Sequence, residues 1–294
     1  MTRAKTKIAI VYDFDRTLST SEMQDSFIES LGIKPKEFWD ENAKFAKENG
    51  MDKILAYLYL MISKSKELHK PINRKLLKEI GSEIEFYKGV EGWFDLVDEI
   101  AKQYGVSIEH FVISSGLKEI IEGTPIYKKF KRVYACEYYY DENDNPVWLK
   151  NVINFTSKTQ FLFRINKGEL DIFDDKGVNQ YVPHEERPLP FENMIYIGDG
   201  DTDIPCMKLV NQYGGHSIAV YAKKKQKVRE LMYDNRINHY CKADYSRGSE
   251  LHELIARIVH QISVESPLRN DSYRQYKESE KEIQGKMMID EITE

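Results

Sequence analysis

Four short runs rich in Ile, Val and aromatic residues stand out in the sequence: KIAIVY (7–12), HFVISS (110–115), NMIYIG (193–198) and HSIAVY (216–221). Stretches of helical periodicity separate them. Near-continuous apolar strands alternating with helices fit a parallel sheet covered on both faces, because neither face of such a sheet meets water. The sequence therefore predicts an α/β fold, a three-layer sandwich around a central parallel sheet. In such sheets ligands bind outside the carboxyl ends of the strands, near the point where strand order reverses. The polar residues at those ends are the ones that carry functional information.

About ninety residues lie between the first two runs, far more than one crossover needs. Four helical patterns fill them. Met23, Phe27, Ile28 and Leu31 recur at helical spacing before Gly32; PKEFWDENAKFAKENG has Pro35 at a first-turn position and stops at Gly50. MDKILAYLYLMISKSK and, after Pro71, NRKLLKEIGSEI follow. The expected organisation is a core of residues 1–19 and 86–264, an inserted helical cap of 20–85 packed as its own bundle, and a polar C-terminal helix or tail of 265–294. Phe38, Trp39 and Phe45 are expected in the core of that bundle. Two further stretches, YACEYYYDENDNPVWL and NKGELDIFDDKGVNQYVPHEERPLP, contain turn chemistry and are read as strands and loops decorating the core.

Composition excludes several classes. A net charge of -5 argues against a nucleic-acid partner, which usually needs a basic face. The one dense basic run, AKKKQKVRE (222–230), reads as a solvated helix face. Three widely spaced cysteines, Cys136, Cys206 and Cys241, form neither a metal-ligand pair nor a disulfide framework, which fits a reducing cytoplasm. The apolar stretch IAIVY is too short for a signal-peptide core, and no run approaches a membrane span, so no membrane partner is expected. The seven histidines show no zinc-ligand spacing. Oligomeric state is not legible.

Four features fall at strand ends or helix starts: Asp13, Asp15 and Thr17; Ser114 in VISSG, with Ser115 and Gly116 beside it; Lys158 in TSKTQ; and Asp199 and Asp203 in GDGDTD. Side by side, these strands would gather four carboxylates, an ammonium and hydroxyls in one crevice. Such a cluster needs a compensating cation, since adjacent like charges raise each other's pKa. Mg²⁺ suits it, because it takes a few carboxylates and leaves positions for water and a substrate phosphate. One carboxylate of the first strand end can attack phosphorus and the other can serve as general acid and base. Positioning and charge neutralisation, the chief needs of phosphoryl transfer, would come from Mg²⁺, Lys158, Ser114 and backbone N–H groups.

DFDRTL, VISSG, a lysine opening a helix, and GDGDTD, in that order, resemble the haloacid dehalogenase superfamily and specifically its phosphoserine-phosphatase-like hydrolases. The resemblance implies a Rossmann-like core with a cap inserted after the first motif. By motif, Asp13 corresponds to the phosphorylated nucleophile and Asp15 to the general acid/base, whose backbone carbonyl also reaches the metal. Asp199 corresponds to a metal ligand, and Asp203 to its metal-site or outer partner. Ser114 corresponds to the phosphate-binding hydroxyl and Lys158 to the lysine that steadies nucleophile and phosphate. Aspartate at position 15 disfavours the family's dehalogenases, which lack it, and its cation pumps, which carry threonine there.

The implied function is Mg²⁺-dependent hydrolysis of a small phosphorylated metabolite. A phosphomutase or phosphotransferase using the same residues, and a non-catalytic module that binds a phosphorylated ligand, are the alternatives. Glu22 corresponds to the position where phosphoserine phosphatases hold the substrate ammonium, but a carboxylate in a first helical turn also meets the helix dipole favourably. Those enzymes clamp the substrate carboxylate with a cap arginine, and here no arginine occurs between Arg16 and Arg74. The expected substrate is another small ester, with an amine or hydroxyl head. His184 and Arg187 are candidates for the pocket rim.

Overall fold

The computed structural model describes residues 5–200 and 202–293. Its sheet has seven strands: β1 (Lys7–Tyr12), β2 (Ser107–Leu117), β3 (Arg132–Tyr140), β4 (Pro146–Asn151), β5 (Met194–Gly198), β6 (His216–Tyr221) and β7 (His239–Lys242). They lie in the order β4-β3-β2-β1-β5-β6-β7. All neighbours are parallel except β3 and β4, which form an antiparallel hairpin. β1 sits at the centre with Ile8 through Tyr12 fully buried, as the apolar run requires. The chain proceeds from β1 to β2 on one side and later to β5 on the other, so the order reverses at β1. Its carboxyl end therefore opens into the crevice where such sheets bind ligands.

Helices between β1 and β2 are α1 (Asp25–Ser30), α2 (Pro35–Asn49), α3 (Lys53–Glu67), α4 (Arg74–Ser82) and α5 (Val90–Gln103). Local chemistry sets their ends. Pro35 opens α2 and Gly50 closes it at φ +59°, in the left-handed region that glycine adopts without strain. Asp52 caps α3 by accepting the Ile54 and Leu55 N–H groups, and Asn73 caps α4 through Leu76. The chain leaves the core and returns side by side: Thr20 N–H donates to the Glu85 carbonyl and Tyr87 N–H to that of Leu18, each at 2.9 Å. α4 packs on α6 (Lys118–Gly123), which follows β2. Gly81 and Gly123 make that contact possible, since a methyl group at either would stand about 2 Å from a carbonyl oxygen of the other helix.

The remaining helices are α7 (Lys158–Lys167), α8 (Asp175–Asn179), α9 (Ile204–Gln212), α10 (Gln226–Tyr233) and α11 (Glu250–Thr293). DENDNP makes the expected hairpin turn, with the Asp141 carboxylate accepting the Asn143 and Asn145 N–H groups. The stretch 167–190 contains no strand; the Asp174 side chain accepts the Gly177 N–H and starts α8 instead. α11 runs on through Pro267, and the 264/265 boundary falls inside it. Its buried stripe, Leu251, Leu254, Ile255, Ile258, Val259 and Ile262, stops near Ser266, beyond which the helix is polar. Among the described residues no helix is long and apolar enough to cross a membrane.

Candidate active site

At the carboxyl end of β1, Asp13 is anchored by its N–H, which donates to the Ile197 carbonyl of β5 at 2.9 Å. Lys158 opens α7 and is wholly buried. The turn before it is set by Asn154, whose side chain accepts the Ser157 N–H while its own N–H donates to Ser157 Oγ. The Lys158 ammonium donates to Asp13 Oδ1 at 2.9 Å, Asp203 Oδ1 at 2.8 Å and Thr202 Oγ1 at 3.3 Å. Tyr196 of β5, also buried, donates its hydroxyl to the same Asp203 oxygen at 2.7 Å. Gly198 leaves room for this cluster, since a methyl there would stand 2.4 Å from Asp203 Oδ2.

Oxygens of Asp13, Asp199 and Asp203 lie within 4.8 Å of one another, a compact hard-oxygen set. Burial, reinforced by Asp203, pushes the Asp13 carboxyl well above its ordinary range despite Lys158. Burial followed by Asp203 pushes Asp199 up to about 6, with Lys227 opposing at 4.0 Å. Burial disfavours the Lys158 charge, but Asp13 and Asp203 outweigh it and hold the ammonium protonated. Lys158 thus serves Asp13 and Asp203 while Lys227 lies beside Asp199, and the negative charge left over suits a divalent ion with oxygen ligands.

Asp15 stands outside that triad. Its Oδ1 accepts the Met23 N–H at 2.7 Å, and burial followed by repulsion from Glu22 raises its pKa well above the ordinary value. A carboxyl whose pKa is raised in this way is suited to protonate a leaving group. Glu22 accepts an ion pair from Arg16 at 3.0 Å.

A cavity of about 600 Å³ joins Asp13, Asp15, Glu22, Ser115, Lys158 and Asp199. Asp203 is buried behind it. Of the two adjacent serines Ser115 lines the cavity and Ser114 does not: side chains alternate along a strand, and the buried Ser114 Oγ accepts the Gly116 N–H at 3.0 Å. Among the described residues Ser115 Oγ has no hydrogen-bond partner. Gly116 packs beneath Asp15, where a methyl would meet Met23 Sδ at 2.6 Å and Asp15 Oδ2 at 3.0 Å. Thr17 lies elsewhere. It is fully buried and not part of the cavity wall; its carbonyl accepts the Tyr245 hydroxyl at 2.7 Å. His184 and Arg187 lie in a separate groove with Lys5 and Tyr273, not on this rim.

Sequence reasoning missed several residues. Trp39 lines the cavity and donates its indole N–H to Asp25 at 3.0 Å. Tyr57 of α3 reaches across to the core and donates to the Ser115 carbonyl at 2.6 Å. Lys227, from the basic run read as a solvated face, also lines the cavity. Its signal was position: α10 begins just after β6, at the same carboxyl edge of the sheet. Nothing in the sequence distinguished Tyr57 from the apolar residues around it.

Residues 10–208 match the model of the family described as haloacid dehalogenase-like hydrolase. An uncharacterized protein of Borreliella burgdorferi is 28% identical over 279 residues, covering 86% of this chain and 96% of that protein. Among solved structures, a HAD family hydrolase from Salmonella enterica serovar Typhi superimposes with a TM-score of 0.58 at 19% identity, over 87% of this chain and 72% of that one. A phosphoserine phosphatase held as a phospho-aspartyl intermediate analogue gives a TM-score of 0.54 at 20% identity, over 86% and 99%. These likenesses establish a common fold.

Proposed function

The chain belongs to the haloacid dehalogenase-like hydrolase family, and from that premise we propose that it is a magnesium-dependent phosphatase that hydrolyses small phosphomonoesters through an aspartyl-phosphate at Asp13. The observation that carries this reading is the buried Lys158 ammonium shared by Asp13 and Asp203, with Asp199 completing a compact oxygen triad. Asp13, Asp199 and Asp203 would hold Mg²⁺, joined by the backbone carbonyl of Asp15. Bound there, the ion supplies charge neutralisation to the phosphoryl group and its leaving oxygen.

In the first half-reaction an Asp13 oxygen bonds to phosphorus as the ester oxygen departs, taking its proton from Asp15. In the second, Asp15 accepts a proton from water while the water oxygen bonds to phosphorus and the Asp13 carboxylate leaves. Lys158 holds Asp13 in place and lowers the cost of charge near the phosphoryl oxygens. Ser115 Oγ, unpaired among the described residues, supplies a hydrogen bond to the phosphoryl group. Residues 20–85 act as a cap whose closure excludes water, with Tyr57 bridging from α3 to the core.

Phosphate release from p-nitrophenyl phosphate, with and without Mg²⁺, tests this in the wild type and in Asp13→Asn. Mg²⁺-dependent release that vanishes in the variant supports the proposal. Equal release by both proteins rejects Asp13 as nucleophile.

A further inference from the structure

Strand β2 loses its regular pairing where it meets the cavity. Its pairing with β1 ends at Val112, and its pairing with β3 skips from Ile113 to Leu117, so Ser114, Ser115 and Gly116 stand against Ala135 alone. A bulge of this kind re-aims side chains, but it leaves the local backbone without a full ladder. Side chains take over that task. The Ser115 carbonyl accepts the Tyr57 hydroxyl at 2.6 Å, and the N–H of the same peptide group, that of Gly116, donates to Ser114 Oγ at 3.0 Å. A peptide group bonded at both ends cannot turn. Cys136 Sγ also lies 3.4 Å from this carbonyl, but a thiol is a weak donor.

Tyr57 comes from across the cavity, on α3 of the helical insertion, and is itself well held. It is 2% exposed, its ring meets that of Trp39 edge to face with centroids 5.6 Å apart, and its oxygen accepts Gln24 Nε2 at 3.4 Å. Two further bonds tie α3 to the core without passing through Ser115. The Tyr138 hydroxyl of β3 donates to the Leu58 carbonyl at 2.9 Å, and Asn154 Nδ2 donates at 3.4 Å to the Asp52 carboxylate that caps α3. Loss of the Tyr57 hydroxyl alone therefore leaves α3 in its seat.

We infer that Tyr57 is a positioning residue for phosphoryl transfer: through the Ser115 carbonyl it sets the backbone from which the Ser115 hydroxyl reaches the phosphoryl group. Ser115 has a single side-chain torsion, so the direction of its Cβ decides where that hydroxyl can go. Small misplacements of such a donor are costly to rate. The helical insertion thus contributes to phosphate binding through a hydroxyl that never touches phosphate. The inference rests on the phosphatase reading above and adds a residue to its machinery.

Double-mutant kinetics on the full chain with Mg²⁺ and p-nitrophenyl phosphate test it, with inhibition by inorganic phosphate as a second readout. Tyr57→Phe, which keeps the ring and its packing on Trp39, should lower kcat/KM and weaken phosphate inhibition about five- to tenfold, the weight of one hydrogen bond. Made in Ser115→Ala, the same change should alter either quantity by less than about twofold, because a residue that acts through Ser115 then has no hydroxyl left to position. Tyr138→Phe removes a bond between α3 and the core that does not reach Ser115, and should change kcat/KM by less than about twofold. An equal loss from Tyr57→Phe in both backgrounds, no loss in the wild type, or as large a loss from Tyr138→Phe overturns the inference and leaves the phosphatase reading standing. No phosphate release by the wild type removes both.

Discussion

Lys158→Met deletes a charge while keeping an unbranched apolar stem of similar length, so the change isolates electrostatics from packing. The ammonium is fully buried and lies 2.9 Å from Asp13 and 2.8 Å from Asp203. At an effective dielectric of about 20, each contact amounts to about 6 kcal/mol of gross attraction. Burial of the three groups consumes most of that. Removing one partner of a buried ion pair costs a net of about 3–5 kcal/mol, because the stranded charges remain. The penalty must also depend on pH. Stranded carboxyls can take up protons, so acidification relieves the variant more than the wild type. Urea unfolding in chelator, at about pH 7.5 and about pH 5.5, measures both quantities. The variant should lose about 3–5 kcal/mol at the higher pH and at least about 1 kcal/mol less at the lower. A loss below about 1 kcal/mol at the higher pH, or a larger loss on acidification, would refute the view of Lys158 as the charge that holds this cluster together.

Other consequences concern separate parts of the molecule. Asp199, pushed up to about 6 from the ordinary 3.8, keeps its proton to higher pH folded than unfolded. Its contribution to metal-free stability is therefore complete below about pH 4 and lost as pH rises through about 6, a span of about 3 kcal/mol. Unfolding midpoints in chelator should fall relative to Asp199→Asn across that window, and a constant difference would contradict the assignment. Ser115→Ala should lower kcat/KM by about ten- to hundredfold and Ser114→Ala by much less, and the reverse ranking would return the phosphate-binding role to Ser114. Gly81→Ala drives a methyl to 2.0 Å from the Ile120 carbonyl oxygen and should cost about 3 kcal/mol in urea unfolding, by separating α4 from α6. Tyr12→Phe strands the Trp93 indole N–H and His110 Nδ1, both bonded to its hydroxyl at 2.9 Å, and should cost about 1–3 kcal/mol in the same assay.

Strands were legible where burial left a run of apolar residues, as in β1 and β6, whose observed limits coincide with KIAIVY and HSIAVY. β7, four residues of His, Tyr, Cys and Lys at the sheet edge, offered no such run. The stretch with DDKG illustrates another limit: the same turn residues serve a hairpin or a helix cap, and Asp174 caps. At the site, Asp13, Asp15, Lys158, Asp199 and Asp203 announced themselves because charge at the end of a buried strand or the start of a packed helix needs a reason. Ser114 and Ser115 did not, since which of two adjacent hydroxyls faces a cavity depends on strand register, with the bulge between Ile113 and Leu117 adding to the ambiguity. Trp39 reads as bundle core, and Tyr57 is not singled out at all, because helical spacing records which face is apolar, not whether that face meets another helix or a cavity.

Covalent chemistry at Asp13 is the central claim, and acid quench during steady turnover followed by borohydride reduction tests it most directly. An acyl phosphate at Asp13 is reduced to homoserine, which mass spectrometry locates within the peptide. The account predicts homoserine at position 13 when Mg²⁺ and a phosphomonoester are both present, and none when either is omitted. Sustained phosphate release with position 13 unmodified, or with the mark on Asp15, would contradict it.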